Sequence, residues 1–118
     1  MSFLIVDDNS VMRRTIGRVV RDLTDRVIEC ADGAEAFLVY EANQPEWALM
    51  DVQMTEKDGL TATREICDAY PSARVVIVTN YDDEGMREAA AKAGACGYVM
   101  KENLFELRGI LGGNQAEN

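Results

Sequence analysis

The sequence predicts an α/β fold, with a parallel sheet of five short strands covered by helices on both faces. Three observations carry this expectation. Short runs rich in Val, Ile and Leu recur along the chain, each too short for a stable helix. Longer stretches with helical apolar spacing lie between them. The alternation repeats five times, and five βα units in succession call for parallel strands buried on both sides.

The expected strands are Phe3–Val6, Arg26–Cys30, Trp47–Met50, Arg74–Val78 and Gly97–Met100. In the first helical segment Met12, Ile16, Val19, Val20 and Leu23 share a face. In the second, Ala34, Phe37, Leu38 and Ala42 do so. The third offers Leu60, Thr63, Cys67 and Tyr70, the fourth Met86, Ala89, Ala90 and Ala93, and the fifth Leu104, Leu107 and Leu111. Asp32 with Glu35, and Asn103 with Glu106, have capping-box spacing. Gly94 and Gly112 fit helix stops. Right-handed crossovers restrict the topology. A flavodoxin-like three-layer sandwich, (βα)5 with strand order 2-1-3-4-5, is the small solution adopted. The order itself comes from the general pattern of doubly wound sheets; these residues fix only the five βα units.

A chain of 118 residues suits one domain and buries a core without disulfide or metal staples. The net charge of −9 disfavours nucleic acid and anionic membranes as partners. Cys30, Cys67 and Cys96 are odd in number and lack CxxC spacing, which reads as a reduced, cytoplasmic protein with buried thiols. The first apolar run stops at Asp7, too soon for a signal peptide. No segment approaches the ~20 apolar residues of a membrane span. The absence of histidine excludes a Ser-His-Asp triad, a His-containing zinc site and a phosphohistidine on this chain.

Chemistry gathers at the strand ends. The first strand runs into Asp7-Asp8, the third into Asp51, the fourth into Thr79 and the fifth into Lys101. In an open α/β sheet the carboxyl ends of the strands share one crevice, where strand order reverses. Three carboxylates together raise their pKa values, bind a cation, or do both. An oxygen-only site with few protein ligands suits Mg²⁺. A carboxylate beside a metal, a lysine and a hydroxyl is equipped to attack phosphorus. Taken singly, each residue has a plainer reading: the Asp-Asp-Asn-Ser run as a helix cap, Thr79 and Tyr98 as packing, Lys101 as a surface charge. Their joint placement at four strand ends favours the chemical one.

These residues resemble the receiver domain of two-component response regulators over nearly the whole chain. The stretch FLIVDDNSVMRR (3–14) is similar to the opening of the chemotaxis receiver, itself an example of the strand order adopted above. LMDVQM (49–54) with Asp58-Gly59 resembles the phosphorylation-site loop, VIVTN (76–80) the hydroxyl-bearing strand, and AGACGYVMK (93–101) the aromatic-switch strand with its lysine. The resemblance implies a receiver over 1–113 with a polar tail over 114–118. It implies that Asp51 accepts a phosphoryl group from a sensor histidine kinase or phosphotransfer protein. Asp8, Asp51 and the Gln53 carbonyl would hold Mg²⁺, with Mn²⁺ as a substitute and Asp7 acting through water. Thr79 and Lys101 would hold phosphoryl oxygens, together with the backbone at Gln53 and Asn80. Tyr98 would turn inward as Thr79 moves, remodelling the fourth helix, fifth strand and fifth helix for an output partner or a phosphorylation-dependent dimer. Such a protein acts on itself and is not an enzyme for other substrates.

Three positions depart from the family pattern. Thr55 and Glu102 stand where proline is usual, and Asn80 where a very small residue is usual. A cis bond before a non-proline residue costs ~2.5–4 kcal/mol, so Lys101–Glu102 is expected to be trans. A magnesium-dependent phosphohydrolase is a rival, but Asn9 and Gln53 stand where its second aspartate would be, two residues after Asp7 or Asp51. A flavodoxin-like cofactor binder needs a phosphate-cradling loop after the first strand, and that loop is acidic. A scaffold that is never phosphorylated would have no use for the reactive set.

Overall fold

The computed structural model describes residues 1–54, 57–81 and 83–112. Its strands are β1 (Ser2–Val6), β2 (Arg26–Cys30), β3 (Trp47–Met50), β4 (Val75–Thr79) and β5 (Gly97–Met100). The helices are α1 (Ser10–Val20), α2 (Gly33–Asn43), α3 (Gly59–Ala69), α4 (Glu84–Ala93) and α5 (Glu106–Leu111). All strands pair in parallel, in the order β2-β1-β3-β4-β5. The fold is therefore the expected flavodoxin-like sandwich. β4 ends one residue later than expected, because Thr79 still pairs with Met100.

Alternation within the strands builds two cores. Leu4, Val6, Met50 and Ile77 face α2, α3 and α4, meeting Ala36, Tyr40, Ile66 and Ala90. Ile5, Leu49, Val76 and Val78 face the other way, against Ile16 and Val20 of α1 and Leu107 and Leu111 of α5. Each fully buried Leu, Ile or Val is worth about 1.5–3 kcal/mol over an exposed one, so this two-sided burial holds strand register firmly.

Helix starts are capped by side chains that accept from the first turn: Asn9 from Met12, Asp32 from Glu35, Asp58 from Thr61 and Asp83 from Met86. Gly94 ends α4 at φ 110°, a conformation that disfavours side chains. The expected box at Asn103 does not form. Residues Lys101–Asn103 make a 3₁₀ turn, Leu104 and Phe105 are already helical, and α5 begins at Glu106 with no side-chain cap. Asn103 thus lies inside a helical stretch, where it cannot take the extended cap geometry.

Two inward faces also differ from expectation. In α2 the buried residues are Gly33, Ala36 and Tyr40, whereas Ala34, Leu38 and Ala42 are exposed. This helix is apolar on most sides, so spacing alone does not choose its face. Close approach does: a Cβ on Gly33 would lie 2.1 Å from the Lys57 carbonyl oxygen, and Tyr40 packs on Tyr70 with ring centroids 5.3 Å apart. In α3, Ala62 and Ile66 join Thr63 in the core, leaving Leu60, Cys67 and Tyr70 on the flank. The three thiols are unpaired with one another, but only Cys30 is buried; Cys96 is exposed, just before the edge strand β5. No peptide bond is cis among the described residues, so Lys101–Glu102 is trans. No helix among them is long and apolar enough to cross a membrane.

Candidate functional site

The ladder extends past the strand ends and carries two carboxylates with it. The Asp7 N–H donates to the Cys30 carbonyl at 3.1 Å, and the Asp51 N–H to the Val6 carbonyl at 2.9 Å. These bonds fix the backbone of both aspartates on adjacent strands. Both side chains are buried, while neighbouring Asp8 is exposed. One oxygen from each of Asp7, Asp8 and Asp51 lies within 4.8 Å of the others. Lys101 enters from beyond β5, its Nζ 3.0 Å from Oδ2 of Asp7 and 3.2 Å from Oδ1 of Asp51. Oδ1 of Asp7 accepts from the Asn9 N–H at 2.9 Å. The sheet thus assembles the expected Asp7, Asp8, Asp51 and Lys101.

The Gly59 backbone makes a close approach to Asp51 that only glycine permits. The Gly59 N–H donates to the Val52 carbonyl at 2.8 Å. A Cβ on Gly59 would lie 1.8 Å from the Asp51 carbonyl oxygen. Asp58 caps α3 in the same turn. The Asp58-Gly59 pair therefore belongs to the site as a positioning element.

Comparison with known proteins gives the family. The family model for the response regulator receiver domain matches residues 3–110. The chain belongs to the response-regulator receiver family. A transcriptional regulatory protein of Bacillus subtilis, YhcZ, itself uncharacterized, is 33% identical over 96% of this chain and 56% of its own length. The chemotaxis protein CheY of Listeria monocytogenes is 35% identical over 86% of each chain. The chain spans about half the length of the transcriptional regulators it matches. A crystal structure of a Burkholderia pseudomallei response regulator, with a phosphorylated aspartic acid, calcium ion and citrate, superposes with a TM-score of 0.84. It is 28% identical, over 98% of this chain and 69% of that one.

Within this receiver, Thr79 is buried and lines the crevice. Its Oγ1 accepts from the Tyr81 N–H at 3.2 Å. The Tyr98 hydroxyl donates to the Tyr81 carbonyl, and the Arg87 guanidinium lies 4.4 Å over the Tyr98 ring. Thr79 and Tyr98 are thus joined through both backbone groups of one residue. Gln53 and Asn80 are exposed on the crevice wall. Thr55 lies outside the described residues, as does the 114–118 tail.

Electrostatics set Asp51 apart. Burial first, and the charge of Asp7 next, push its pKa up to about 6, with Lys101 opposing. For Lys101, burial works against the ammonium, but its hydrogen bond to Asp7 and the charges of Asp51 and Asp7 outweigh that and raise its pKa. One ammonium among three carboxylates leaves an excess of negative charge. An all-oxygen donor set of this kind fits a hard divalent cation that keeps some of its water.

Sequence reasoning missed Arg13, which donates to the Asp7 carbonyl at 2.6 Å and to Glu29 at 2.9 Å. Its place on α1, four residues after the cap, carries no signal of its own. It also missed Arg64, which borders the same crevice.

Proposed function

We propose that this receiver is a phosphoacceptor switch in which Asp51 takes a phosphoryl group from a sensor histidine kinase or phosphotransfer protein. The observation that carries this reading is the buried Asp51 carboxylate, 3.2 Å from Lys101, at the carboxyl end of the sheet beside Asp7 and Asp8. Asp51 is assigned as the nucleophile because its carboxylate is buried and 3.2 Å from the ammonium, whereas Asp8 is exposed and Asp7 accepts from the Asn9 N–H. Lys101 exchanges its carboxylate partners for phosphoryl oxygens, and Thr79 donates its hydroxyl to another. The backbone N–H groups at Gln53 and Asn80 complete that cradle. Asp8, Asp51 and the Gln53 carbonyl would hold Mg²⁺, or Mn²⁺ in its place, with Asp7 reached through water. Such an ion neutralises charge developing on the transferred group.

When Thr79 turns to the phosphoryl group it leaves the Tyr81 N–H. Tyr98, tied to the same residue, then moves inward. The surface of α4, β5 and α5 changes for an output partner. The 1–113 segment acts as the switch. It acts on its own Asp51 and not on other substrates. Asn9, two residues after Asp7, accepts from the Met12 N–H as a helix cap, so the position where a phosphohydrolase carries its second aspartate holds an amide.

The test is intact mass after incubation with a small phosphodonor and Mg²⁺. One phosphoryl group is expected on the wild type and none on Asp51→Asn. Full labelling of Asp51→Asn refutes the acceptor. Asp8→Ala should lower divalent-cation affinity and labelling together.

A further inference from the structure

The crevice around Asp51 extends sideways between α3 and α4. Leu60, Thr61 and Arg64 share the face of α3 that borders it, and Met54 and Met86 close the apolar wall. Among the described residues its charged lining comprises the carboxylates of Asp7, Asp8, Asp51 and Asp58, and two cations, Lys101 and Arg64. Lys101 is engaged by Asp7 and Asp51. Arg64 is exposed, and none of the hydrogen bonds or ion pairs found among the described residues uses it. The flank thus offers a guanidinium that none of the described residues engages, beside an apolar wall. The phosphoryl cradle itself has no need of either.

We infer that this flank is a leaving-group subsite for small acyl phosphates, in which Arg64 receives the departing carboxylate and the Met54, Leu60 and Met86 wall takes the acyl stem. The inference rests on the phosphoacceptor reading above and adds to it a residue that discriminates between donors. In the transfer, an oxygen of Asp51 forms a bond to phosphorus as the bond from phosphorus to the acyl oxygen breaks. That oxygen leaves with the electron pair, so a carboxylate appears where none was before. No proton is required. A guanidinium matches a carboxylate in shape and charge, and a cation placed where charge develops favours the transition state over the bound donor. A phosphoramidate donor differs at this point. Its nitrogen, already protonated, departs as neutral ammonia and gives Arg64 nothing to hold.

The experiment compares initial rates of Asp51 phosphorylation with acetyl phosphate and with phosphoramidate, in Mg²⁺, for wild type, Arg64→Gln and Arg64→Lys. Arg64→Gln should slow acetyl phosphate about tenfold, a modest loss because the guanidinium is exposed, and leave phosphoramidate within about twofold. Arg64→Lys should recover part of the lost rate. Thermal unfolding should be unchanged in both. Equal slowing with both donors, or no slowing with acetyl phosphate, overturns the inference while the acceptor reading stands. Failure of the wild type to take a phosphoryl group on Asp51 from either donor removes the acceptor reading and the inference with it.

Discussion

Lys101 lies nearer to Asp7 than to Asp51, its Nζ 3.0 Å from Oδ2 of a side chain that is 1% exposed. Removing the ammonium strands that buried charge. In the absence of divalent cation, Lys101→Met is expected to cost about 3 kcal/mol in urea unfolding at pH 7. Most of the loss should vanish in an Asp7→Asn background, because the carboxylate to be neutralised is gone. Additive losses across the double-mutant cycle would show that the two residues are not coupled.

Asp51 makes a pH-dependent contribution of the opposite sense. Its pKa rises from 3.8 to about 6 on folding, so the folded state binds more protons between those values. Stability from this group is fully present below 3.8 and is lost as the pH rises through about 6. Asp51→Asn removes the penalty and is expected to stabilise the metal-free protein by about 2–3 kcal/mol at pH 7. The gain should shrink towards zero near pH 4. Chemical denaturation at both pH values checks this, and a gain independent of pH counts against it.

Gly59 tests the close approach to the Asp51 backbone. A methyl group there meets the Asp51 carbonyl oxygen at 1.8 Å, so backbone must move. Gly59→Ala is expected to destabilise by about 2 kcal/mol or more. It should also slow phosphorylation, because the moved backbone is that of Asp51, the acceptor proposed above. A variant that melts and phosphorylates like wild type would mean that the loop relaxes freely. Gly85→Ala is a useful control, since its nearest contact is at 3.4 Å.

Asn80 stands exposed on the crevice wall, directly after Thr79. Its side chain can narrow the path of an incoming water or bind that water out of line, and in-line displacement depends on such positioning. Asn80→Ala is expected to lose its phosphoryl group faster than wild type in the same buffer. Decay that is equal or slower would refute a gating role.

Much of this protein is legible in one dimension. Strands buried on both faces appear as short unbroken apolar runs, and the polar residues that stop them are the site: Asp7, Asp51, Thr79 and Lys101. A parallel sheet sends all those ends to one side, so the strand ends already collect the reactive groups. The helix cap at Asp32 is equally local, since its side chain reaches only three residues ahead; the caps at Asp58 and Asp83 reach no further but were not read from the sequence. What tertiary structure alone decided depends on distances between elements. The exposed Leu38 and buried Tyr40 could not be told apart by spacing on a helix apolar on most sides; contact with α3 chose between them. Asn103 lost its capping role to a helical turn that begins at Lys101. The raised pKa of Asp51, the pairing of Lys101 with Asp7 and the placement of Arg64 on the crevice wall are likewise absent from any local pattern. Each arises from burial and charge brought together across the sheet, and Coulombic and desolvation energies depend on spatial separation, not on position along the chain.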